Sequence, residues 1–213
     1  MRNGCFLQFA KAPRVGFVKT RLQPALSARQ AAGVARFLTE RVADALREIP
    51  SGWEACLCVD DPEDAFLRSL AARHGRVLHA QGGGGLGQRM RRALLAALRQ
   101  YPCAIVVGSD CGSYDADYLL EATRILARAD AVLGPATDGG YVLVGFSRMK
   151  SSVFEGPRWG SGSVLAEQRA RLEALGHSWE ELPVRSDIDR PEDLWRLGAE
   201  FGDQALVMGR LSP

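Results

Sequence analysis

Lysine is almost missing from this sequence: among 27 basic residues in 213, only Lys11, Lys19 and Lys150 are not arginine. Positive charge is supplied as a rule by guanidinium, so two lysines close together in "FAKAPRVGFVKTRL" (9–22) point to a need for a compact ammonium. Long apolar runs are missing too. No stretch approaches the roughly 18 residues of a spanning helix, and "MRNGCFLQFAKAP" reaches Lys11 too early for a secretory signal, which reads as a cytoplasmic chain without a membrane partner. The five cysteines contain no CxxC pair, which argues against a thioredoxin-like or zinc-ribbon reading. A net charge of +2 is too small to indicate a nucleic-acid surface. Internal repeats and low-complexity segments are lacking as well.

What is present is a globular composition, 46% hydrophobic and 24% charged, in a length suited to one domain spanning 1–213. Short apolar runs alternate with longer amphipathic ones, the order of strands joined by helices. Strands are expected at 4–10, 54–60, 76–81, 103–110, 130–136, 141–147 and 178–184. Helices are expected at 27–49, opening on a Ser27/Gln30 capping box, and at 62–75, 86–100, 115–128, 161–176 and 189–202. "CAIVVGSD" is apolar with a β-branched centre, Ile105 to Val107, and reads as the central strand, buried on both faces. "TDGG" (137–140) is too short for a helical crossover, so the strands flanking it should pair antiparallel in a mixed, mostly parallel sheet. Cys5, Cys56, Cys58 and Cys103 fall in strand-like runs as core thiols, whereas Cys111 falls in a loop.

Five stretches can carry chemistry. Gly82, Gly84 and Gly87 satisfy a GxGxxG pattern, which leaves open an NAD(P)-binding oxidoreductase beside a plain backbone-lined loop. Asp110 leaves the central strand at its carboxyl end, where open α/β sheets bind ligands and a carboxylate can hold a hard cation; an Asx turn is the alternative. "ATDGGY" offers Asp138 before paired glycines that allow a sharp turn. In "SDIDRPEDL", Asp187 and Asp189 alternate, and Asp189 with Glu192 matches a capping box for the last helix. Finally, Lys11, Arg14, Lys19 and Arg21 gather four cations without an acid, with Pro13 and Gly16 between them, as a phosphate-binding loop would.

Taken in order, "FAKAP", "VKTRL", "LGQRM", "GSDC", "GPATDGGYVLVG", "WGSGSVL" and "DIDRPEDL" resemble the DUF2064 family of bacterial glycosyltransferase-like proteins. These are similar in turn to molybdenum cofactor guanylyltransferase and phospholactate guanylyltransferase. The resemblance implies a three-layer α/β/α, nucleotide-diphospho-sugar transferase (GT-A-like) fold and a metal-assisted glycosyl or nucleotidyl transfer from an activated nucleotide to an unknown acceptor. It implies Mg²⁺ or Mn²⁺ on Asp110 with Asp187 or Asp189, and nucleotide binding by Ala10, Lys11, Pro13, Gly16, Lys19, Arg21, Gly82 and Gly87. Lys19, Arg21 and Asp110 would be the catalytic set, and Asp138, Gly139, Gly140, Tyr141 and Trp159 would border the acceptor. The chain departs from the pattern at Gly112, where relatives commonly have proline, and at Gly85, where they commonly have an acid. A nucleotide-binding protein with weak or no turnover is therefore the alternative from a different class. Monomer and homodimer stay equally open.

Overall fold

The structure, a computed structural model, describes residues 2–201. Seven strands form one sheet: β1 (Gly4–Ala10), β2 (Trp53–Val59), β3 (Leu78–Ala80), β4 (Ala104–Gly108), β5 (Ala131–Pro135), β6 (Tyr141–Phe146) and β7 (Trp179–Glu181). Six helices accompany them: α1 (Ala28–Ala45), α2 (Ala65–Arg73), α3 (Leu86–Leu98), α4 (Ala116–Leu126), α5 (Val164–Ala174) and α6 (Leu194–Phe201).

The strand order is β3-β2-β1-β4-β6-β5-β7, with β4 in the middle as its β-branched run predicts. Six strands run parallel and β6 alone runs against its neighbours β4 and β5. The short 136–140 connection forces that reversal, because Ala136 N–H donates to the Gly140 carbonyl (2.9 Å) and turns the chain straight back.

Alternation along the strands sets the layers. Leu7, Phe9, Cys56, Cys58, Val106 and Val144 face α3 and α5. Phe6, Ile105, Val107 and Leu143 face α4 and the end of α1, while Leu57 and Val59 meet α2. Both faces are therefore covered, which is why β1 is apolar apart from Gln8 and is buried along its whole length. The result is the three-layer α/β/α arrangement.

Element boundaries contract relative to expectation wherever polar caps intervene. The helix expected from 62 begins at Ala65 because Asp64 accepts from Leu67 N–H (3.0 Å), and Asp115 caps α4 in the same way through Tyr118 N–H (2.8 Å). The Ser27/Gln30 capping box of α1 forms as expected, but α1 ends at Ala45 rather than near 49. Edge strands β3 and β7 keep three residues each, because their outer residues have a sheet neighbour on one side only. The last residue of the helix expected at 189–202 lies outside the described residues.

Asp130 fastens the β7 edge. Its carboxylate accepts from Ser178 N–H (2.9 Å), Ser178 Oγ (3.1 Å) and Arg148 Nη2 (2.8 Å), and the Arg148 guanidinium foremost holds its pKa down to about 2. A depressed carboxylate contributes stability above its unfolded pKa of about 3.9, and that stability is lost as pH falls through the folded value. Asp130→Asn is expected to cost about 2 kcal/mol at neutral pH, with the gap to the wild type closing between about pH 4 and pH 2 in chemical-denaturation curves. A constant gap would assign the effect to packing.

Candidate functional site

The strand order reverses at β1: the chain moves outward to β2 and β3, then returns to the other side of β1 as β4. The carboxyl ends of β1 and β4 thus diverge into loops with a crevice between them, the usual ligand position of an open α/β sheet. That crevice has a volume of about 650 Å³, within the range of small-molecule sites. Its walls include Ala10, Lys11, Lys19 and Arg21 from the loop after β1, Asp110 after β4, Asp138, Gly140 and Tyr141 at the β5–β6 turn, Trp159, and Asp187 with Asp189. Residues spread over almost 180 positions of sequence converge there.

The four expected cations separate into different jobs. Lys19 is almost fully enclosed, with its side chain 4% exposed. Its ammonium meets Asp110 Oδ1 at 2.5 Å and the Ile188 carbonyl at 2.6 Å, and stands 4.0 Å from Asp189 Oδ1. Among the described residues it is also the one non-glycine in the left-handed region, at φ 48°. Such a conformation costs about 1–3 kcal/mol and persists where the surroundings enforce it; here the enclosed ammonium's contacts with Asp110 and the Ile188 carbonyl do so. The Asp110 carbonyl extends the seam, since it accepts from Ile188 N–H (3.1 Å). Lys19 is therefore a strut joining three loops, not a group on a solvated loop.

Arg21 reaches across to Asp189 Oδ2 at 2.8 Å. Arg14 turns away to pair with Asp61. Lys11 is exposed, lines the crevice and has no hydrogen-bond or ion-pair partner among the described residues. Pro13 and Gly16 shape the loop outside the crevice wall, Gly16 with φ 84°.

The carboxylates line the same crevice beside these cations. Asp187 is half-buried and its pKa is pushed up to about 6, first by burial, then by the charge of Asp138 with a smaller share from Asp110, against the pull of Lys19. Asp187, Asp138 and Asp110 thus converge closely enough to repel. Asp138 spends Oδ1 on Gly140 N–H (2.8 Å). The expected Asp189/Glu192 capping box does not form: Asp193 Oδ2 accepts from Asp189 N–H (3.0 Å) and Arg190 N–H (2.8 Å) instead. The Asp189 carboxylate is thereby released to Arg21, and both aspartates face the same crevice because the strand has ended at Glu181.

The residues fit a hard divalent cation in a restricted way. Among the described residues no three His, Cys, Asp or Glu side chains already stand in a ligating cluster. Magnesium, however, usually takes one or two protein carboxylates and completes its shell with water and substrate phosphate. Asp110 and Asp187 supply hard oxygens whose mutual repulsion a cation relieves.

Two buried glutamines that the sequence did not flag hold the crevice floor. Gln8 donates to Thr39 C=O (2.8 Å) and Ser109 Oγ (3.2 Å) and accepts from Arg76 (3.2 Å). Gln81 donates to the carbonyls of Ala10 (3.2 Å) and Cys58 (2.8 Å) and accepts from Arg89 (2.7 Å). The glycine run beyond Gln81 lies after β3, at the sheet's edge, and is drawn back by Arg92, which donates to the Gln81 (2.8 Å) and Gly83 (2.6 Å) carbonyls. Gly82 packs against that guanidinium and Gly87 against the Trp159 indole, so neither lines the crevice. An edge position is also the wrong context for a dinucleotide pyrophosphate, which sits at the first βα turn. Cys111, expected in a loop, lies in a turn but is 1% exposed, and burial raises its thiol pKa.

A family model described as "Uncharacterized protein conserved in bacteria (DUF2064)" matches residues 41–161. A 3-phospho-D-glycerate guanylyltransferase from Phenylobacterium zucineum (strain HLK1) is 29% identical over 180 residues, covering 82% of this chain and 81% of its own. A crystal structure from Desulfovibrio desulfuricans G20, described as a nucleotide-diphospho-sugar transferase, superposes with a TM-score of 0.85 at 27% identity, covering 99% of this chain and 95% of that one. At 11% identity, 4-diphosphocytidyl-2C-methyl-D-erythritol synthase from Anaerococcus prevotii DSM 20548 shares the fold, with a TM-score of 0.62 over 93% of this chain and 96% of that one.

Proposed function

The chain belongs to the DUF2064 family, and from that premise and the crevice we propose that it is a nucleotidyltransferase, joining the nucleoside monophosphate part of a triphosphate to a small anionic acceptor. One observation carries the reading: at the β1/β4 reversal, Lys11 and Arg21 line the same crevice as Asp110 and Asp187, as a triphosphate with a counter-cation requires. The guanylyltransferase relative favours nucleotidyl over glycosyl transfer and makes GTP the first donor to test.

In this reaction an acceptor oxygen attacks the α-phosphorus, a new P–O bond forms, the α–β bridging bond breaks and pyrophosphate leaves. Mg²⁺ or Mn²⁺ held by Asp110 and Asp187 would supply neutralisation of the charge that grows on the phosphates. Lys11 and Arg21 bind the phosphate chain, and Arg21 is oriented for it by Asp189. Lys19 keeps Asp110 and the 188–189 segment in register, so the rate gain is one of positioning and fixed electrostatics.

The test is pyrophosphate release from each nucleoside triphosphate, with Mg²⁺ or Mn²⁺, across a panel of hydroxy acids and phosphorylated hydroxy acids that includes 3-phospho-D-glycerate. Asp187→Asn is expected to lower that rate by about 10²–10³. It should also remove the metal-dependent part of the melting shift, which in the wild type reaches about 2.7 kcal/mol at a hundredfold excess over Kd. Nucleoside diphosphate released from nucleotide sugars, without pyrophosphate from any triphosphate, would turn the reading to glycosyl transfer. Stabilisation by NADH alone, indifferent to metal, would turn it to the oxidoreductase.

A further inference from the structure

The inner end of the crevice holds two hydrogen-bond donors that nothing described so far uses. The Tyr141 hydroxyl is enclosed and has no partner among the described residues, and the same is true of Arg89 Nε. Both residues line the crevice. Arg89 commits one terminal nitrogen to Gln81, which fixes the guanidinium and leaves Nε free. A buried donor without an acceptor costs about 1–3 kcal/mol, so two in the lining of one crevice need a reason.

Their surroundings supply one. Phe9, Met90, Val106 and Val144 form apolar walls at this end of the crevice. Trp159 covers it, edge-on to Tyr141 with ring centroids 6.3 Å apart, and seated on Gly87, where a Cβ would lie 2.4 Å from the indole. Gly156 (φ 110°) and Gly160 (φ 86°) bracket the tryptophan in backbone that only glycine adopts freely, and nothing lies within 4 Å of where their Cβ atoms would be. Trp159 also packs on Phe154, with ring centroids 6.0 Å apart, but it belongs to the 155–163 loop and not to a strand, so displacing it leaves the sheet's own pairing intact.

We infer that this inner end is the acceptor's subsite, in which Tyr141 Oη and Arg89 Nε donate to a carboxylate or phosphate oxygen of a small acid once Trp159 moves aside. The inference rests on the transferase reading and adds to it the groups that hold the acceptor's anion, Arg89 among them. A guanidinium and a phenol that both have a free donor in one crevice select an anion, and the apolar walls favour a short carbon chain over a sugar rich in hydroxyls. Tyr141 and Arg89 come from β6 and α3, not from the Lys11–Arg21 loop, so the acceptor anion has partners of its own.

Tyr141→Phe distinguishes this role from a structural one, because it removes only the unpartnered oxygen. The variant is expected to melt at or above the wild-type temperature while its affinity for the acceptor anion falls about tenfold, with triphosphate affinity unchanged. Binding is read by calorimetry with three probes in the presence of Mg²⁺: D-glycerate, glycerol 3-phosphate and 3-phospho-D-glycerate. These separate carboxylate from phosphate recognition. Arg89→Lys, which keeps the charge but loses Nε, should lower the same affinity. The inference is overturned if none of the probes binds wild-type protein that does bind triphosphate, if Tyr141→Phe leaves probe affinity unchanged, or if it weakens triphosphate binding equally. Failure of the wild type to bind any triphosphate would instead remove the transferase reading itself.

Discussion

Lys19→Arg is expected to lower kcat/KM for pyrophosphate release by about two to three orders of magnitude, although it keeps the charge. The Lys19 side chain is 4% exposed and its ammonium fits between Asp110 Oδ1 at 2.5 Å and the Ile188 carbonyl at 2.6 Å. A guanidinium is larger and planar, and inserting it there forces the loops apart, at a typical cost of about 1–3 kcal/mol. The shift falls on Asp110 and Asp189, the two groups that the ammonium holds in register. Lys11→Arg is the control: Lys11 is exposed and unpartnered among the described residues, so arginine there should leave the rate within about threefold. Equal tolerance at both positions would mean that charge alone suffices and that Lys19 is no strut. Lys19→Met removes the charge and strands the neighbouring carbonyl and carboxylate, so it should also lower the melting temperature.

Gly139→Ala has the second large effect, and acts on stability first. Gly139 has φ 87°, and a Cβ on it would lie 2.0 Å from the Gly162 carbonyl oxygen, which is backbone and cannot rotate away. The left-handed conformation adds about 1–2 kcal/mol for any residue with a Cβ. Together these predict a loss of at least about 3 kcal/mol, or about 6–12 °C in melting temperature for a chain of this size. Activity should fall further than stability, because the same turn places Asp138 and Tyr141 and its carbonyl accepts Leu165 N–H (2.9 Å) at the start of α5. Gly160→Ala, with open space where the Cβ would go, should cost only the conformational share. A variant at 139 that melts within 2 °C of wild type, by about the same conversion, would show that the 162 segment yields easily.

Much of the fold was legible because it rests on local periodicity. The β-branched run at 104–108 is central and buried on both faces, and the short 136–140 connection does give an antiparallel pair. The residues that the resemblance motifs name also converge in space, since Lys11, Lys19, Arg21, Asp110, Asp138, Tyr141, Trp159, Asp187 and Asp189 all line one crevice. Where local rules misled, a distant partner overrode them. Asp189 and Glu192 have capping-box spacing, yet Asp193 takes the cap and Arg21, far away in sequence, takes Asp189. The GxGxxG pattern was equally local, and Arg92 and Trp159 gave those glycines packing duties.

Gln8, Gln81 and Arg89 carried no signal beyond residue type, since a polar residue next to an apolar run looks the same whether it faces water or a buried carbonyl. Arg89 alone could have been suspected, as part of the "LGQRM" motif. By itself, the sequence determined the α/β class, the family and the set of charged loops, because hydrophobic spacing and turn residues act over a few positions. Only the tertiary structure decided which charge meets which. Lys19 became a buried strut, Lys11 an unpartnered cation and Asp187 a strained carboxylate because ion pairs form between groups that the sheet order brings together, and no spacing along the chain encodes that distance.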